Sequence, residues 1–337
     1  MASTIETDVA IIGAGPVGLF AVFELGMLKL SSVLIDALAE VGGQCAALYP
    51  EKPIYDIPAH PAIDAGELVT QLEQQIAPFH APRLLGRRVV GLSGEPGAFV
   101  LTTDRDDTVR AKAVVVAAGA GAFGPNRPPL DGLELYEASG AVQYYVRRRE
   151  DLRGKRVVIA GGGDSAVDWA LALKDVARVA VVHRRAKFRA APESAAQLDA
   201  AARNGEIELV IPYQLHALHG TDTALTEVEV ATLQGETRRL PADVLLPFLG
   251  LSMDLGPIAA WGLERDLHHV TIDPATCQTS MPGVFAIGDV VTYPGKLKLI
   301  LQGFSEAAIA AHAIFGVVHP DEALHFEYST TKGVPAG

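Results

Sequence analysis

Cysteine is nearly missing from this 337-residue chain, which has only Cys45 and Cys277. That excludes a disulfide-stapled scaffold, and any multi-cysteine cluster held by this chain alone. No C-x-x-C occurs, so only folding can bring the two thiols together. Positive charge is also short: 28 Lys and Arg stand against 40 Asp and Glu, a net charge of −12. This argues against a globally basic nucleic-acid binder and leaves room only for a local basic patch. Low-complexity segments are absent. The most apolar run, residues 9–28, is long enough for a membrane span. However, it contains Glu24, Pro16, Gly13, Gly15, Gly18 and Gly26, and acidic Glu6 and Asp8 precede it, where a signal peptide would carry positive charge. It reads as buried strand, turn and helix, so no membrane partner and a cytoplasmic location are expected.

What is present is glycine, 33 residues of it, in a chain 49% apolar and 20% charged. Such a balance is that of a globular protein, and the length suits two domains. Residues 8–12 form an apolar run that leads into Gly13-Ala14-Gly15-Pro16-Val17-Gly18, a helical stretch to about Leu28, and a buried strand at 32–35 ending in Asp36. This is the grammar of a dinucleotide-binding unit. Gly13 permits the tight turn, Gly15 lets a pyrophosphate approach the helix N-terminus, and Gly18 lets helix and strand pack closely. Asp36, some twenty residues on, suits an adenosine ribose.

The same grammar recurs. Residues 156–160 read as a strand, Gly161-Gly162-Gly163-Asp164-Ser165-Ala166 as the turn, residues to about 174 as a helix, and 179–182 as the next strand. Here the second strand ends not in an acid but in His183-Arg184-Arg185-Ala186-Lys187-Phe188-Arg189. A carboxylate would repel a 2′-phosphate, whereas guanidinium groups pair with it, so this unit is expected to prefer NADP over NAD. Gly161, Gly163, Ser165, His183, Arg184, Arg185 and Arg189 are its candidate contacts.

Strands are expected at 99–103 and 109–116, around the polar turn 104–107. Gly/Pro-rich crossings at 120–129 and after 244–250 mark the connections between domains. The fold expected is α/β, with two Rossmann-like (three-layer ββα) dinucleotide-binding domains, the second inserted into the first. The expected bounds are 1–119, 120–248 and 249–337. Near the end, a buried strand at 284–287 delivers Gly288-Asp289, whose carboxylate can accept a hydroxyl hydrogen bond or cap a helix.

Together these residues resemble the two-dinucleotide-binding-domain flavoprotein disulfide reductase superfamily over essentially the whole chain. The resemblance implies FAD in the first domain and NAD(P)H in the inserted one. Most members carry a redox-active disulfide. The glutathione-reductase type would put two cysteines five positions apart after a Gly-Gly. Gly42-Gly43-Gln44-Cys45 supplies the first, but the second position is Pro50. The thioredoxin-reductase type would put C-x-x-C near the start of the inserted domain, where residues 136–146 hold no cysteine. Without either, a thiol relay has no obvious route.

The subgroup that keeps the thioredoxin-reductase architecture without the disulfide is the thioredoxin-reductase-like ferredoxin–NADP⁺ reductases. The chain is similar to it at Gly42-Gly43-Gln44-Cys45, Leu48-Tyr49-Pro50-Glu51-Lys52, Tyr55-Asp56-Ile57-Pro58, Gly288-Asp289 and Gly295-Lys296-Leu297-Lys298. The tail Tyr328-Ser329-Thr330-Thr331-Lys332-Gly333 also matches. The resemblance implies that Asp36, Gln44 and Val89 contact FAD, that Tyr49 stacks on one flavin face and that Asp289 anchors the ribityl chain. Phe123 would lie beside the flavin at the crossing. The tail, contributed by the partner subunit of a homodimer, would cover the other face through Tyr328, with Thr330 as a polar contact.

The implied reaction passes hydride between NADP(H) and FAD, and single electrons between FAD and ferredoxin or flavodoxin. It needs no side-chain base and no metal. The adjacent His268-His269 would point to opposite faces of a strand, which disfavours joint ligation. Because ferredoxins are generally acidic, docking on a chain of net charge −12 needs a local basic surface. The candidates are Lys296, Lys298, Lys332 and Arg147-Arg148-Arg149. Two rival readings are an NADPH-dependent quinone or flavin reductase and a non-catalytic FAD/NADP-binding redox sensor.

Overall fold

The computed structural model describes residues 4–221, 223–324 and 333. The chain divides into two compact units, Met1–Phe123 with Met253–Gly337, and Gly124–Ser252. Both connections thus lie four residues beyond the expected bounds. Both lie inside the Gly/Pro-rich crossings, where the chain stays extended in the short paired strands Ala122–Pro125 and Leu251–Asp254.

In the first unit, strand β1 (Thr4–Ile12) leads through the glycine turn into helix α1 (Pro16–Met27) and then strand β2 (Ser32–Asp36). β1 pairs in parallel with β2 on one side and with Thr108–Val116 on the other. Arg83–Leu85 extends the sheet beyond β2, and Val284–Ala286 pairs in parallel with Thr108–Val116. The strands Val89–Ser93, Phe99–Thr103 and Thr108–Val116 form an antiparallel meander. Period-2 alternation gives the sheet two buried faces. Val9, Ile11 and Leu34 pack with α1, Ala65–Ile76 and Ile300–Val318, while Ala10, Ile12, Val33 and Ile35 pack with Val89, Phe99 and Leu101 of the meander. The result is helices, central sheet and β-meander, three layers with the glycine turn at the carboxyl ends of the parallel strands.

Ile300–Val318 is long and apolar enough to cross a membrane by length and composition. Here its Ala307, Ala310, Ala311 and Ile314 lie in the core against α1. The apolar run 9–28 resolves into β1, turn and α1, as its glycines and proline require.

The inserted unit repeats the pattern with strand β3 (Arg156–Ala160), helix α2 (Asp164–Leu173) and strand β4 (Arg178–Val182). Its parallel sheet runs Ile207–Val210, β4, β3, Val244–Pro247. A second, antiparallel sheet of Gln214–Thr221, Ala224–Ala231 and Thr237–Pro241 packs Leu225, Val228 and Leu240 into the same core as Val158 and Leu245.

Candidate functional site

The first glycine turn opens on a cavity of about 470 Å³, the size of a cofactor pocket. At Gly13 φ is +112° and an added Cβ would lie 2.3 Å from the Ala117 carbonyl. At Gly18 it would lie 1.9 Å from the Gly13 carbonyl, so helix and strand meet there without room for a methyl group. Gly15 lines the cavity, and a Cβ there would meet only the Gly43 Cα, at 4.0 Å. The turn therefore offers a backbone cradle at a helix N-terminus.

Asp36 closes one end. Its Oδ2 accepts from the Ala14 amide at 2.6 Å and its Oδ1 from the Leu38 amide at 2.8 Å. Each oxygen keeps a lone pair for a ligand hydroxyl. Burial pushes this carboxyl above the usual aspartate value, against the pull of both amides. Val89 stands nearby with Arg87 and Arg88 on the lining. The two arginines had no periodic or motif signal in the sequence. Arg87 is held by Nε to the buried Asp107 at 2.6 Å.

Gln44, Tyr49 and Asp289 line the cavity as well. The Gly42 amide donates to the Ala14 carbonyl at 2.7 Å, which ties the 42–44 segment to the turn. Asp289 is pushed up by burial, with Lys296 and Lys298 pulling the other way. Its carboxylate accepts no hydrogen bond among the described residues, although it faces the cavity. A half-buried carboxylate that faces the cavity with its lone pairs free fits a hydroxyl-bearing ligand.

Neither cysteine fits thiol chemistry. Cys45 is buried beside Tyr49 and its thiol is pushed up to about 11. Cys277 donates weakly to the Glu306 carbonyl and is pushed up to about 12 by burial. Both are therefore thiols, not thiolates, at neutral pH, and the thiolate is the reactive species.

In the inserted unit, the basic loop after β4 folds back over its glycine turn. The Arg189 amide donates to the Gly162 carbonyl at 2.6 Å, and the Ala191 amide to Asp164 Oδ1 at 2.9 Å. Arg184, Arg185 and Arg189 are exposed, as is Ser165 in the first turn of α2. His183 differs from the arginines. Its ring is buried, stacks on Phe188 at 5.1 Å and covers Gly162, where a Cβ would lie 2.1 Å from it. It shapes the turn.

The Phe123 side chain, Tyr328, Thr330 and Lys332 lie outside the described residues. Lys296 does not stand on a basic surface. Its side chain is only 5% exposed and pairs with Glu306 at 2.5 Å. A lysine beside Pro294-Gly295 has the signature of a solvated turn, and sequence gives no sign of the acid ten residues on that holds it. Lys298 is exposed. His268 is exposed and the Nε2 of His269 is buried without a partner, consistent with their pointing apart. Glu306 itself was missed. Its one signal is that it is the sole Asp, Glu, Lys or Arg in the apolar helix Ile300–Val318.

The chain is similar over nearly its whole length to curated proteins named ferredoxin–NADP reductase. It is 76% identical to that of Granulibacter bethesdensis, over 98% of this chain and 95% of the relative. It is also 76% identical to that of Acidiphilium cryptum, over 99% of each. Among solved structures, thioredoxin reductase of Lactococcus lactis superposes with a TM-score of 0.81 at 24% identity, covering 93% of this chain and 99% of that one. The thioredoxin reductase of T. acidophilum gives the same TM-score at 23% identity, covering 92% and 98%. These two show the fold. Residues 7–313 match the pyridine nucleotide-disulphide oxidoreductase family. With its paired glycine turns and buried thiols, the chain belongs to that family, in the branch that holds the ferredoxin–NADP reductases.

Proposed function

We propose that this protein is an FAD-dependent ferredoxin–NADP reductase that works without a redox-active disulfide. The observation that carries the reading is the cavity at the first glycine turn, lined by the carboxylates of Asp36 and Asp289, with the Cys45 beside it a buried thiol. The residues present fit FAD. The turn offers amides to a pyrophosphate, Asp36 an acceptor to a ribose, and Asp289 an acceptor to the ribityl hydroxyls. Tyr49 and Gln44 would lie at the flavin, and Val89 near the adenine.

When bound, FAD accepts hydride from NADPH and passes single electrons to ferredoxin, or runs in reverse. The protein's own work is binding and exclusion of water. Gly161 and Gly163 admit the NADP pyrophosphate to the N-terminus of α2, Ser165 offers a hydroxyl there, and Arg184, Arg185 and Arg189 select the 2′-phosphate. Burial keeps Tyr49 a neutral phenol, since its ionisation is pushed well above the usual range. It presents an aromatic face without adding charge. As part of the same reading, a partner copy supplies Tyr328 and Thr330, and flavodoxin is a second acceptor.

The test is anaerobic ferredoxin reduction by NADPH with wild type and with Cys45→Ala/Cys277→Ala. The reading expects turnover with both, within about twofold of each other, because neither thiol is ionised. Turnover of quinone or free flavin but not ferredoxin would move the acceptor. Bound FAD that NADPH fails to reduce would leave a sensor.

A further inference from the structure

Behind the wall of the FAD cavity, and outside the lining, lies a buried polar cluster. Glu306 is 2% exposed. Its Oε2 accepts from the Gly288 amide at 2.7 Å, and its Oε1 accepts from the Tyr293 hydroxyl at 2.6 Å and from Lys296 Nζ at 2.5 Å. Gln302 donates to the Tyr293 hydroxyl at 2.6 Å and accepts from the Leu297 amide at 2.9 Å. The Ile300–Val318 helix thus grips both the end of strand Val284–Ala286 and the 293–297 turn. Gly288 has φ +81° and is packed between Val17 and Gly303, so its backbone sets the direction in which Asp289 leaves the strand.

Burying an ion pair is costly, and an apolar pair of similar volume often serves stability as well. The place of this pair supplies the reason for it. We propose that Lys296 and Glu306 are positioning residues for the flavin end of the cavity: the pair fixes the Gly288–Asp289 turn through the Gly288 amide and keeps the interior beside Asp289 electrically neutral. This rests on the reading of the cavity as the FAD site. Without Glu306, the ammonium of Lys296 would turn to the Asp289 carboxylate on the cavity wall and compete with the ribityl hydroxyls. The region would also carry one more positive charge near the flavin, where reduction adds negative charge.

The test measures FAD binding to apoprotein and the midpoint potential of the bound flavin. Wild type must first take up FAD. If it does not, the reading of the cavity fails, and the pair is not at issue. Glu306→Gln is expected to weaken FAD binding about tenfold, as a charge-assisted hydrogen bond is lost to Lys296, and to move the potential positive. Lys296→Met/Glu306→Gln, which removes both charges, is expected to return the potential to wild type, and Lys296→Arg to retain it. A Glu306→Gln potential equal to wild type, or a double variant displaced as far as the single one, overturns the proposal. Should Glu306→Gln not fold, Lys296→Met carries the test. Read at pH 7, its potential is expected to fall below wild type, because Glu306 is left without its cation. Cys277, Tyr293, Cys45 and Tyr49 also face this region, but burial holds each of them neutral there. Equality with wild type overturns the proposal.

Discussion

The two glycine turns follow one pattern yet need their glycines in different places. In the first, the third small position must be Gly18, because a Cβ there would strike the Gly13 carbonyl, while the middle position is Ala14. In the second, the third position is Ala166, fully buried, and the middle one must be Gly162 because the His183 ring covers it. The difference follows from how each β-strand ends. Asp36 bonds back to the Ala14 amide through its carboxylate, a small group that leaves the turn open to the cavity. His183 lays a ring on the turn instead and starts the loop that bears the arginines. A single repeated unit is thereby fitted to two nucleotides by one residue at the end of its second strand and one glycine moved to suit it.

The comparison can be broken most strongly at the arginines. Arg184→Ala/Arg185→Ala removes two charge-assisted contacts at about 1.5–3 kcal/mol each, so kcat/KM for NADPH should fall roughly 10²–10⁴-fold. NADH turnover and FAD content should stay unchanged, and steady-state kinetics with both nucleotides read this directly. Next in size, Gly18→Ala should cost about 3 kcal/mol by overpacking and reduce FAD retention, whereas Ala166→Gly should cost only about 1 kcal/mol. Urea unfolding of the two variants, with FAD content measured on each, makes the comparison. Gly162→Ala should displace His183 and raise the KM for NADPH about tenfold, about 1.4 kcal/mol, with FAD still bound.

The smallest effect is a contrast in acid response. In the inserted unit Glu137, Glu150, Glu206, Glu229 and Asp243 are held below the usual carboxylate range by Arg127, Arg153, Lys174, His219 and Arg156 respectively. Their contribution is present above the unfolded-state values near 4 and is lost as pH falls through the lowered values. In the FAD unit Glu24, Asp36 and Asp289 are pushed up by burial, so they oppose folding above their raised values and are relieved as pH falls. Asp8 runs against this trend, because its hydrogen bonds to Lys112 and Ser31 outweigh its burial. Hydrogen exchange between pH 5 and 3 should show the inserted unit losing protection first; equal loss in both units would contradict this assignment.

Much of this was legible in the sequence for a physical reason. A glycine turn between a buried strand and a helix has few alternatives, so Gly13, Gly15, Gly18, Asp36, Gly161 and Gly163 announce themselves by type and spacing. Asp289 was legible because a Gly-Asp pair after an apolar strand has a restricted backbone. Lys296 was misplaced because charge can be read from sequence but burial cannot, and its partner Glu306 is an ordinary helical residue by type. Arg87 and Arg88 escaped for a related reason: the cavity wall they join is built by distant β1, β2 and Val89–Ser93, and tertiary proximity has no period. The connections were displaced by four residues because extended chain on both sides of a boundary looks alike.

The most direct measurement is anaerobic rapid mixing of the FAD-loaded protein with NADPH or NADH, following the flavin band, and then with oxidised ferredoxin. The account predicts fast bleaching by NADPH, much slower bleaching by NADH, and prompt reoxidation by ferredoxin with no thiol added. Equal bleaching by the two nucleotides, or a reduced flavin that ferredoxin leaves reduced, would contradict it.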